Sequence, residues 1–176
     1  MISVHDKQFR PYISRVDIDA RVGALGAQIS GDYEGLKPLI IAVLNGSFIF
    51  AADLFRALSI EAEISFIKLT SYEGTASTGT VVTAIGLDAS LAGRHVIILE
   101  DIIDTGKTLH DFMPEITRRE PASVKIVTLL AKPDALKHEL YADYTGFEIP
   151  NDFVVGYGLD YDGLGRNLPE IYILAQ

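Results

Sequence analysis

A cluster of acidic residues and a glycine turn follow one apolar run of the sequence. Glu100 and Asp101 end the run, Asp104 comes soon after, and residues 105–108 read Thr-Gly-Lys-Thr. Glycine permits a tight turn whose backbone amides face an anion, and a helix that starts there adds the positive end of its dipole. The turn is therefore either a phosphate site or a capped strand-to-helix connection without a ligand.

A nucleoside-triphosphate loop is one possibility that the spacing itself tests. That motif requires a glycine five positions before the glycine of Gly-Lys-Thr, in the pattern G-x-x-x-x-G-K-[ST]. Asp101 occupies this position, and its carboxylate would repel a polyphosphate wrapped around the turn. The sequence therefore excludes a loop of this type.

The neighbouring carboxylates Glu100 and Asp101 need hydrogen-bond donors, because ionised carboxylates are acceptors only. A vicinal diol offers two donors, so a ribose 5′-phosphate would place its diol at these acids and its phosphate at residues 105–108. Side chains alternate along a strand, so a twist at the strand end is needed to aim both acids at one ligand. The two acids also fit a magnesium site, or a strand end that is simply solvated, and the residues alone leave these alternatives open.

The segments around this cluster alternate between strand-like and helix-like patterns. Apolar, β-branched runs predict buried strands at 38–44, 62–69, 94–101 and 123–130, with shorter strands at 81–86, 152–158 and 171–174. The pattern predicts helices at 14–31, 48–58 and 106–119. This alternation predicts an α/β fold with a mostly parallel central sheet flanked by helices.

Polar breaks follow three of these strands, at 45–47, 100–108 and 131–134. Ligands bind beyond the carboxyl ends of parallel strands, so the three breaks are expected to converge on one cleft.

Local signals refine several elements. Ser14 with Asp17 fits a capping box at the start of the first helix, and Gly31 is expected to end that helix. Pro114 lies inside the third helix, where proline costs about 3 kcal/mol, so it is expected to kink the helix or end it early. Residues 70–80 are rich in Ser, Thr and Gly, which predicts a loop.

Composition limits the classes of partner. The 176 residues favour a single domain over 1–176, and they carry a net charge of −9. This acidity argues against a broad nucleic-acid or anionic-membrane surface, so any phosphate site must be local. The sequence has no cysteine, and we see neither a signal peptide nor an apolar run long enough to span a membrane. These features predict a cytoplasmic protein without a membrane partner.

The segment "VIILEDIIDTGKTL" (96–109) resembles the phosphoribosyl-diphosphate motif of the type I phosphoribosyltransferases. Three further segments resemble the hypoxanthine-guanine (6-oxopurine) phosphoribosyltransferases: "VLNGSFIFAADL" (43–54), "SYEGTASTG" (71–79) and "GFEIPNDFVVGYGLDYDGLGRNLPEIYIL" (146–174). The resemblance implies the type I fold, with a small hood and a mobile lid loop. It also implies Mg²⁺-dependent transfer of phosphoribose from 5-phosphoribosyl 1-diphosphate to hypoxanthine or guanine. The products would be IMP or GMP plus pyrophosphate, and the enzyme a homodimer or homotetramer.

The same resemblance assigns roles to the acidic cluster and its turn. Glu100 and Asp101 would hold the ribose hydroxyls and, together with Asp160, a magnesium ion. Asp104 would be the general base at the purine imidazole nitrogen, beside the reacting sugar carbon. It would otherwise only cap the following helix, and the two roles are compatible. The cradle of the 5′-phosphate would consist of Thr105, Gly106, Lys107 and Thr108.

Asn45 and Gly46 match the pyrophosphate loop of the family, and the resemblance implies an unusual cis peptide at Leu44–Asn45. Many relatives carry Lys or Arg where this chain has neutral Asn45. Contact with pyrophosphate would then depend on backbone amides, and Arg166 would supply the cationic side chain. The lid would exclude water from an oxocarbenium-like transition state. Its matching residues are Ser71 and Tyr72.

The purine pocket would be formed by Lys132, Phe153, Val154 and Asp160. Lys132 would donate to the 6-oxo group and would repel the amino group of adenine. Phe153 would stack on the purine ring. Val154 and Asp160 would read the 2-position through backbone groups. Without the resemblance, Lys132 would be interpreted as a solvated lysine at the end of a strand and Phe153 as a core aromatic residue.

Two further functions compete with this one. A regulator that senses nucleotides and binds RNA is disfavoured by the net charge and by the lack of a basic, aromatic-rich face. A transferase for xanthine or another base differs only in its substrate, and competition among the purine bases would separate it.

Overall fold

The computed structural model describes residues 1–73 and 80–175, with only the backbone described at 70–73 and 80–85. The strands are β1 (Ile2–Val4), β2 (Lys7–Ile13), β3 (Leu39–Leu44), β4 (Glu63–Glu73), β5 (Thr80–Ile85), β6 (His95–Ile103), β7 (Ser123–Ala131), β8 (Tyr144–Glu148), β9 (Val154–Val155) and β10 (Ile171–Leu174). The helices are α1 (Arg15–Asp32), α2 (Phe48–Ala57) and α3 (Lys107–Thr117), with a 3₁₀ turn at Pro133–Ala135. Among the residues described, no helix is both long and apolar enough to cross a membrane.

The central sheet has six strands in the order β5-β4-β3-β6-β7-β8. The five neighbours from β4 to β8 in this order run parallel, and β5 pairs antiparallel with β4 at the edge. The predicted mostly parallel sheet is thus confirmed. The chain leaves β3 toward β4 on one side and leaves β6 toward β7 on the other. The gap between β3 and β6 is therefore the topological switch point, where such sheets bind ligands.

Helices cover both faces of the central sheet. On β3, Ile40 and Ala42 pack into a core cluster with α1 and α2, whereas Leu39, Ile41 and Val43 pack into a second cluster with α3. Burying one isoleucine side chain contributes about 1.5–3 kcal/mol. Because both faces of β3 are covered, its sequence is a continuous apolar run rather than an alternating one.

α1 begins as the sequence predicts. Ser14 Oγ accepts a hydrogen bond from Asp17 N at 3.1 Å and donates to the Asp17 carboxylate at 2.5 Å. The helix continues through Gly31 to Asp32, because Tyr33 N still donates to the carbonyl of Ile29. The predicted end at Gly31 is therefore one residue early. The buried face of the helix consists largely of Ile18, Val22, Leu25 and Ile29, which recur at helical spacing.

A second, antiparallel sheet has the order β1-β2-β10-β9, and we call it the hood sheet. Its strands β1 and β2, and β8 of the central sheet, were not predicted, because their sequences lack a continuous apolar run. The strand predicted at 152–158 is only Val154–Val155. Gly156, Tyr157 and Gly158 follow with φ of 101°, 50° and 104°, and this left-handed backbone ends the strand.

Several helices and strands begin or end at other residues than predicted. The predicted loop at 70–80 is wrong at its start, since β4 continues to Glu73; residues 74–79 lie outside the described residues. β6 continues beyond its predicted end at residue 101 to Ile103, because it still pairs with β7 there. α3 continues past Pro114 to Thr117, so the proline does not end the helix. An exposed proline there costs the helix one backbone hydrogen bond.

Candidate active site

The three predicted polar breaks meet at the carboxyl edge of β3, β6 and β7. Beyond Leu99, β6 no longer pairs with β3, and the loop after β3 lies against this part of β6. Gly46 packs so closely there that a Cβ would overlap the Asp101 carboxylate. On the other side, Lys132 N donates to the carbonyl of Ile103 at 2.9 Å. The expected cleft is therefore present at this edge.

Glu100 and Asp101 lie within β6 rather than at its end. Glu100 Oε2 is buried and has no hydrogen-bond partner within the described part of the chain. Burial and, after it, the Asp101 carboxylate raise the pKa of Glu100 well above its usual range. Burial also raises the pKa of Asp101, whose Oδ1 accepts from Ile102 N at 2.8 Å. A buried acceptor without a donor fits a ligand hydroxyl or a cation.

The predicted phosphate turn has the backbone that its glycine requires. Gly106 is the N-cap of α3 and has φ of 77°, in the left-handed region that glycine favours. Lys137 N donates to the carbonyl of Thr105 at 3.0 Å, which fixes the turn to the segment after β7. The turn lines a cavity of about 130 Å³ that Glu100 and Asp104 also border. The residues of the turn and the two acids thus border one small cavity.

Lys107 directs its ammonium along its own helix, with Nζ 2.5 Å from Asp111 Oδ2. Such i,i+4 pairs are common on helix surfaces. An anion at the turn would therefore meet mainly backbone amides, the helix N-terminus and the hydroxyls of Thr105 and Thr108.

Asp104 and Lys132 form an ion pair in the cleft. Lys132 Nζ lies 3.1 Å from Asp104 Oδ2; the lysine side chain is 8% exposed and the aspartate side chain 50% exposed. The interpretation of Lys132 as a solvated lysine is therefore wrong. The pair presents a donor and an acceptor side by side, and the acceptor is open to solvent.

The loop at 44–47, which we call the pyrophosphate loop, contains the expected cis peptide at Leu44–Asn45. Ser47 is fully buried and donates from Oγ to the carbonyl of Val43 at 2.5 Å. Asn45 is exposed. Gly46 is held between the Asp101 carboxylate of β6 and the segment after β9, where a Cβ on Gly158 would overlap the Gly46 carbonyl oxygen.

Arg166 is held at this loop by the segment after β9. Its Nη2 lies 2.8 Å from Asp160 Oδ1, and its Nη1 donates to the carbonyl of Gly158 at 2.8 Å. Asp160 Oδ2 accepts in turn from Gly163 N at 2.7 Å. Arg166 is thus a positioned cation rather than a freely moving surface arginine. Burial still raises the pKa of Asp101, and the charge of Arg166 offsets only part of that rise.

Phe153 offers an aromatic surface at the end of the hood sheet. The residue is 42% exposed, and the Tyr161 ring meets it edge-on with centroids 5.6 Å apart. Phe153 is therefore not the core aromatic residue that composition alone suggests. The next residue, Val154, is buried and pairs with Ile173 in β9 and β10. The predicted lid residues Ser71 and Tyr72 have side chains outside the described residues.

The carboxylates predicted as magnesium ligands have the oxygen donors that this hard cation prefers. The described residues contain no group of three or more His, Asp or Glu side chains that could hold a metal ion alone. Magnesium commonly takes only one or two carboxylates and completes its shell with substrate oxygens and water. The partnerless Glu100 Oε2 and the adjacent Asp101 fit this donor set.

Residues 15–162 match the phosphoribosyl transferase domain family. A hypoxanthine-guanine phosphoribosyltransferase of Streptococcus pneumoniae is 45% identical over 93% of this chain and 92% of its own length. The chain belongs to the hypoxanthine-guanine phosphoribosyltransferases. The enzyme of that name from Bacillus subtilis is 44% identical over 92% of this chain and 91% of its own. The solved structure of a hypoxanthine phosphoribosyltransferase from Staphylococcus aureus has a TM-score of 0.90 at 40% identity, covering 99% of this chain and 96% of that one.

Membership of this family confirms both the predicted fold class and the resemblance. Two residues at the cleft were nevertheless not singled out from the sequence, namely Gly158 and Tyr161. The Gly-Tyr-Gly pattern at 156–158 signals unusual backbone geometry, but the contact of Gly158 with Gly46 joins distant parts of the chain. The edge-on contact of Tyr161 with Phe153 likewise depends on a turn that no local pattern specifies.

Proposed function

We propose that this chain transfers phosphoribose from 5-phosphoribosyl 1-diphosphate to hypoxanthine or guanine, giving IMP or GMP and pyrophosphate. The observation that carries the proposal is the Asp104–Lys132 pair, 3.1 Å apart, beside the phosphate turn and the buried acid Glu100. One cleft then offers groups for the sugar, its phosphate and the purine.

The sugar phosphate would bind along β6 and its turn. The ribose hydroxyls would donate to Glu100 and Asp101, and one of them would supply the donor that Glu100 Oε2 lacks within the described residues. The 5′-phosphate would accept hydrogen bonds from the amides and hydroxyls of residues 105–108, at the N-terminus of α3. This placement leaves C1 of the ribose facing Asp104.

The purine would bind between Phe153 and the ion pair. Lys132 would donate to the 6-oxo oxygen, and the backbone at Val154 and Asp160 would read the 2-position. The purine nitrogen forms the new bond to C1 while the bond from C1 to the diphosphate oxygen breaks. Asp104 would accept the proton that the purine imidazole releases, and general-base assistance of this kind contributes about 10²–10⁴-fold.

The leaving pyrophosphate would contact the amides of Asn45 and Gly46 and the guanidinium of Arg166. Mg²⁺, which Glu100, Asp101 and Asp160 would hold directly or through water, supplies neutralising charge for the diphosphate when bound. Ser71 and Tyr72 would close over the reacting centre. We also propose one domain over 1–176, a cytoplasmic location and a homodimer or homotetramer.

Turnover with each purine base tests the function directly. Pyrophosphate release should depend on hypoxanthine or guanine and on Mg²⁺, with adenine much weaker. Competition with xanthine decides the base preference. Absence of turnover with all four bases in the presence of 5-phosphoribosyl 1-diphosphate would contradict the proposal and favour a nucleotide-sensing regulator.

A further inference from the structure

Tyr157 is a buried aromatic residue that the proposed chemistry does not use. Its φ is 50°, in a region that side chains seldom occupy, and it lies between Gly156 and Gly158 at 101° and 104°. Tyr157 N donates to the carbonyl of Leu168 at 2.8 Å, and Gly158 N donates to that of Arg166 at 3.0 Å. The backbone thus forms a tight, hydrogen-bonded turn directly after β9.

The Tyr157 side chain joins this turn to α2. Its hydroxyl donates to Asp53 Oδ2 at 2.6 Å, and Arg15 Nη2 lies 3.2 Å from the same oxygen. The Arg15 guanidinium also lies over the tyrosine ring, 5.4 Å from its centroid. Burial and, after it, the bond to Asp53 raise the pKa of Tyr157. The hydroxyl therefore stays protonated and remains a donor.

The two residues of this hydrogen bond lie in segments that adjoin the pyrophosphate loop and Arg166, the groups proposed to contact pyrophosphate. Asp53 belongs to α2, which starts at Phe48, directly after the pyrophosphate loop. Gly158, the residue after Tyr157, packs against the Gly46 carbonyl, and its own carbonyl accepts from Arg166 Nη1 at 2.8 Å. One side-chain hydrogen bond therefore links the loop that carries the amides to the segment that carries the arginine.

The distance between the pyrophosphate loop and Arg166 matters more in this chain than in relatives with a cationic residue at position 45, because Asn45 is neutral. A lysine at this position would follow its ligand through a flexible side chain, whereas a backbone amide moves only with its loop. Hydrogen bonds weaken steeply when distance or angle departs from the optimum. A pyrophosphate site made of loop amides and one arginine therefore depends on how that loop and that arginine are held together.

We propose that Tyr157 and Asp53 are positioning residues that hold the pyrophosphate loop and Arg166 in register for the diphosphate of the sugar substrate. The identity of that ligand rests on the proposed function. The pair acts through Gly158 and leaves the phosphate turn and the Asp104–Lys132 pair unaltered. Its removal should therefore affect diphosphate binding selectively.

Tyr157→Phe removes one oxygen and keeps the ring. We expect the KM for 5-phosphoribosyl 1-diphosphate and the Kd of inorganic pyrophosphate with Mg²⁺ to rise about tenfold, the effect of losing one charge-assisted hydrogen bond. The KM for hypoxanthine should change less than about twofold. The matched control is Tyr144→Phe, which removes another tyrosine hydroxyl that donates to a carboxylate, Asp32 Oδ2 at 2.7 Å, away from the cleft.

Asp53 provides the second arm of the test. Asp53→Asn keeps an acceptor oxygen for the Tyr157 hydroxyl and should raise the same constants less than Tyr157→Phe does. Asp53→Ala should raise them at least as much as Tyr157→Phe, because it also removes the ion pairs of Asp53 with Arg15 and Arg56. The double variant should be no weaker than Asp53→Ala alone, because Asp53→Ala already removes the hydrogen bond to Tyr157.

Equal rises in both KM values for Tyr157→Phe, or constants that match those of Tyr144→Phe, would overturn the positioning role. If Tyr157→Phe or Asp53→Ala does not fold, Asp53→Asn is used instead. Equal rises in its KM values for 5-phosphoribosyl 1-diphosphate and hypoxanthine would likewise overturn the positioning role. Calorimetry with pyrophosphate needs no turnover. A wild-type chain that binds pyrophosphate without transferring phosphoribose would contradict the proposed function alone, and the calorimetric comparison would still decide the role of the pair.

Discussion

At the scale of single residues, the ion pair of Asp104 and Lys132 accounts for the burial of the lysine. A buried ammonium without a partner is costly, and the Asp104 carboxylate is the ion-pair partner of Lys132. The aspartate itself is half exposed, so one side of its carboxylate faces the cleft. A 6-oxopurine carries an acceptor oxygen next to an imidazole nitrogen that can lose a proton. Under the proposed function the pair would meet this edge with a donor and a base, whereas adenine would present an amino group to the ammonium.

Asp104→Asn keeps the shape of the side chain but removes its ability to accept a proton. We expect kcat to fall about 10²–10⁴-fold, while the Kd for 5-phosphoribosyl 1-diphosphate changes only a few-fold. Steady-state kinetics and calorimetry measure the two quantities. Asp134→Asn, an exposed acid two residues after Lys132, is the control and should leave both constants unchanged. Equal losses of turnover and sugar-phosphate binding would remove the base assignment.

Lys132→Ala removes the donor to the 6-oxo group. The KM for hypoxanthine should rise at least about tenfold, and the KM for 5-phosphoribosyl 1-diphosphate should stay within about threefold. Discrimination against adenine should weaken in the same variant. Lys137→Ala changes an exposed lysine of the same segment and serves as the control. An unchanged purine KM in Lys132→Ala would mean that the 6-oxo group is recognised elsewhere.

At the scale of elements, the pyrophosphate loop can pack against β6 and the segment after β9 only because Gly46 and Gly158 have no side chains. Gly46 lies against the Asp101 carboxylate, and Gly158 lies against the Gly46 carbonyl. The loop, β6 and the segment after β9 therefore cannot move independently. A change in any of the three should shift the groups proposed to contact the diphosphate.

Gly46→Ala tests this close packing. The added methyl would overlap the Asp101 carboxylate, so the loop or β6 must shift, and kcat/KM should fall about 100-fold or more. Gly23→Ala is the matched control, because a Cβ at this exposed position of α1 meets nothing within 4 Å. That variant should keep its activity and gain about 0.5–1 kcal/mol in the free energy of unfolding, measured with urea. Full activity of Gly46→Ala would show that the loop tolerates displacement.

The sequence predicts those elements whose patterns are local. The buried runs of β3, β6 and β7 are recognisable because both faces of each strand are covered. The end of β6 is not recognisable from the sequence, because its last residues are held extended by pairing with β7 after the pairing with β3 has ended. β8 contains Gly146 and depends on its neighbour in the same way. The site follows this rule too: the phosphate turn is a local motif, whereas the contact of Asp104 with Lys132 joins two strands.

At the scale of the whole molecule, the residues proposed to recognise the substrates are divided between the two sheets. The central sheet carries the acids, the phosphate turn and the ion pair, and the end of the hood sheet carries Phe153. The hood strands β2 and β10 come from opposite ends of the chain, so no local pattern could reveal that they pair. A nucleotide product would contact groups on both sheets at once, whereas a sugar phosphate would contact mainly one.

Nucleotide binding should therefore stabilise the whole fold. IMP or GMP at about 100 times its Kd should add about 2.7 kcal/mol to the free energy of unfolding and raise the Tm accordingly. AMP at the same concentration should raise the Tm less, because its 6-amino group faces the Lys132 ammonium. Thermal scans with the three nucleotides make the comparison, and ribose 5-phosphate is the control for the sugar half. Equal shifts for IMP and AMP would contradict recognition of the 6-oxo group.

The pairing of β9 with β10 also sets an order of events during translation. Glu100, Asp101, the phosphate turn and Lys132 are all synthesised before Ile171–Leu174. A nascent chain that ends just before Ile171 has the residues proposed to bind a sugar phosphate but lacks the strand that pairs with Val154. Domains generally fold as units. The pairing that completes the proposed purine half of the cleft therefore becomes possible only once β10 has been synthesised.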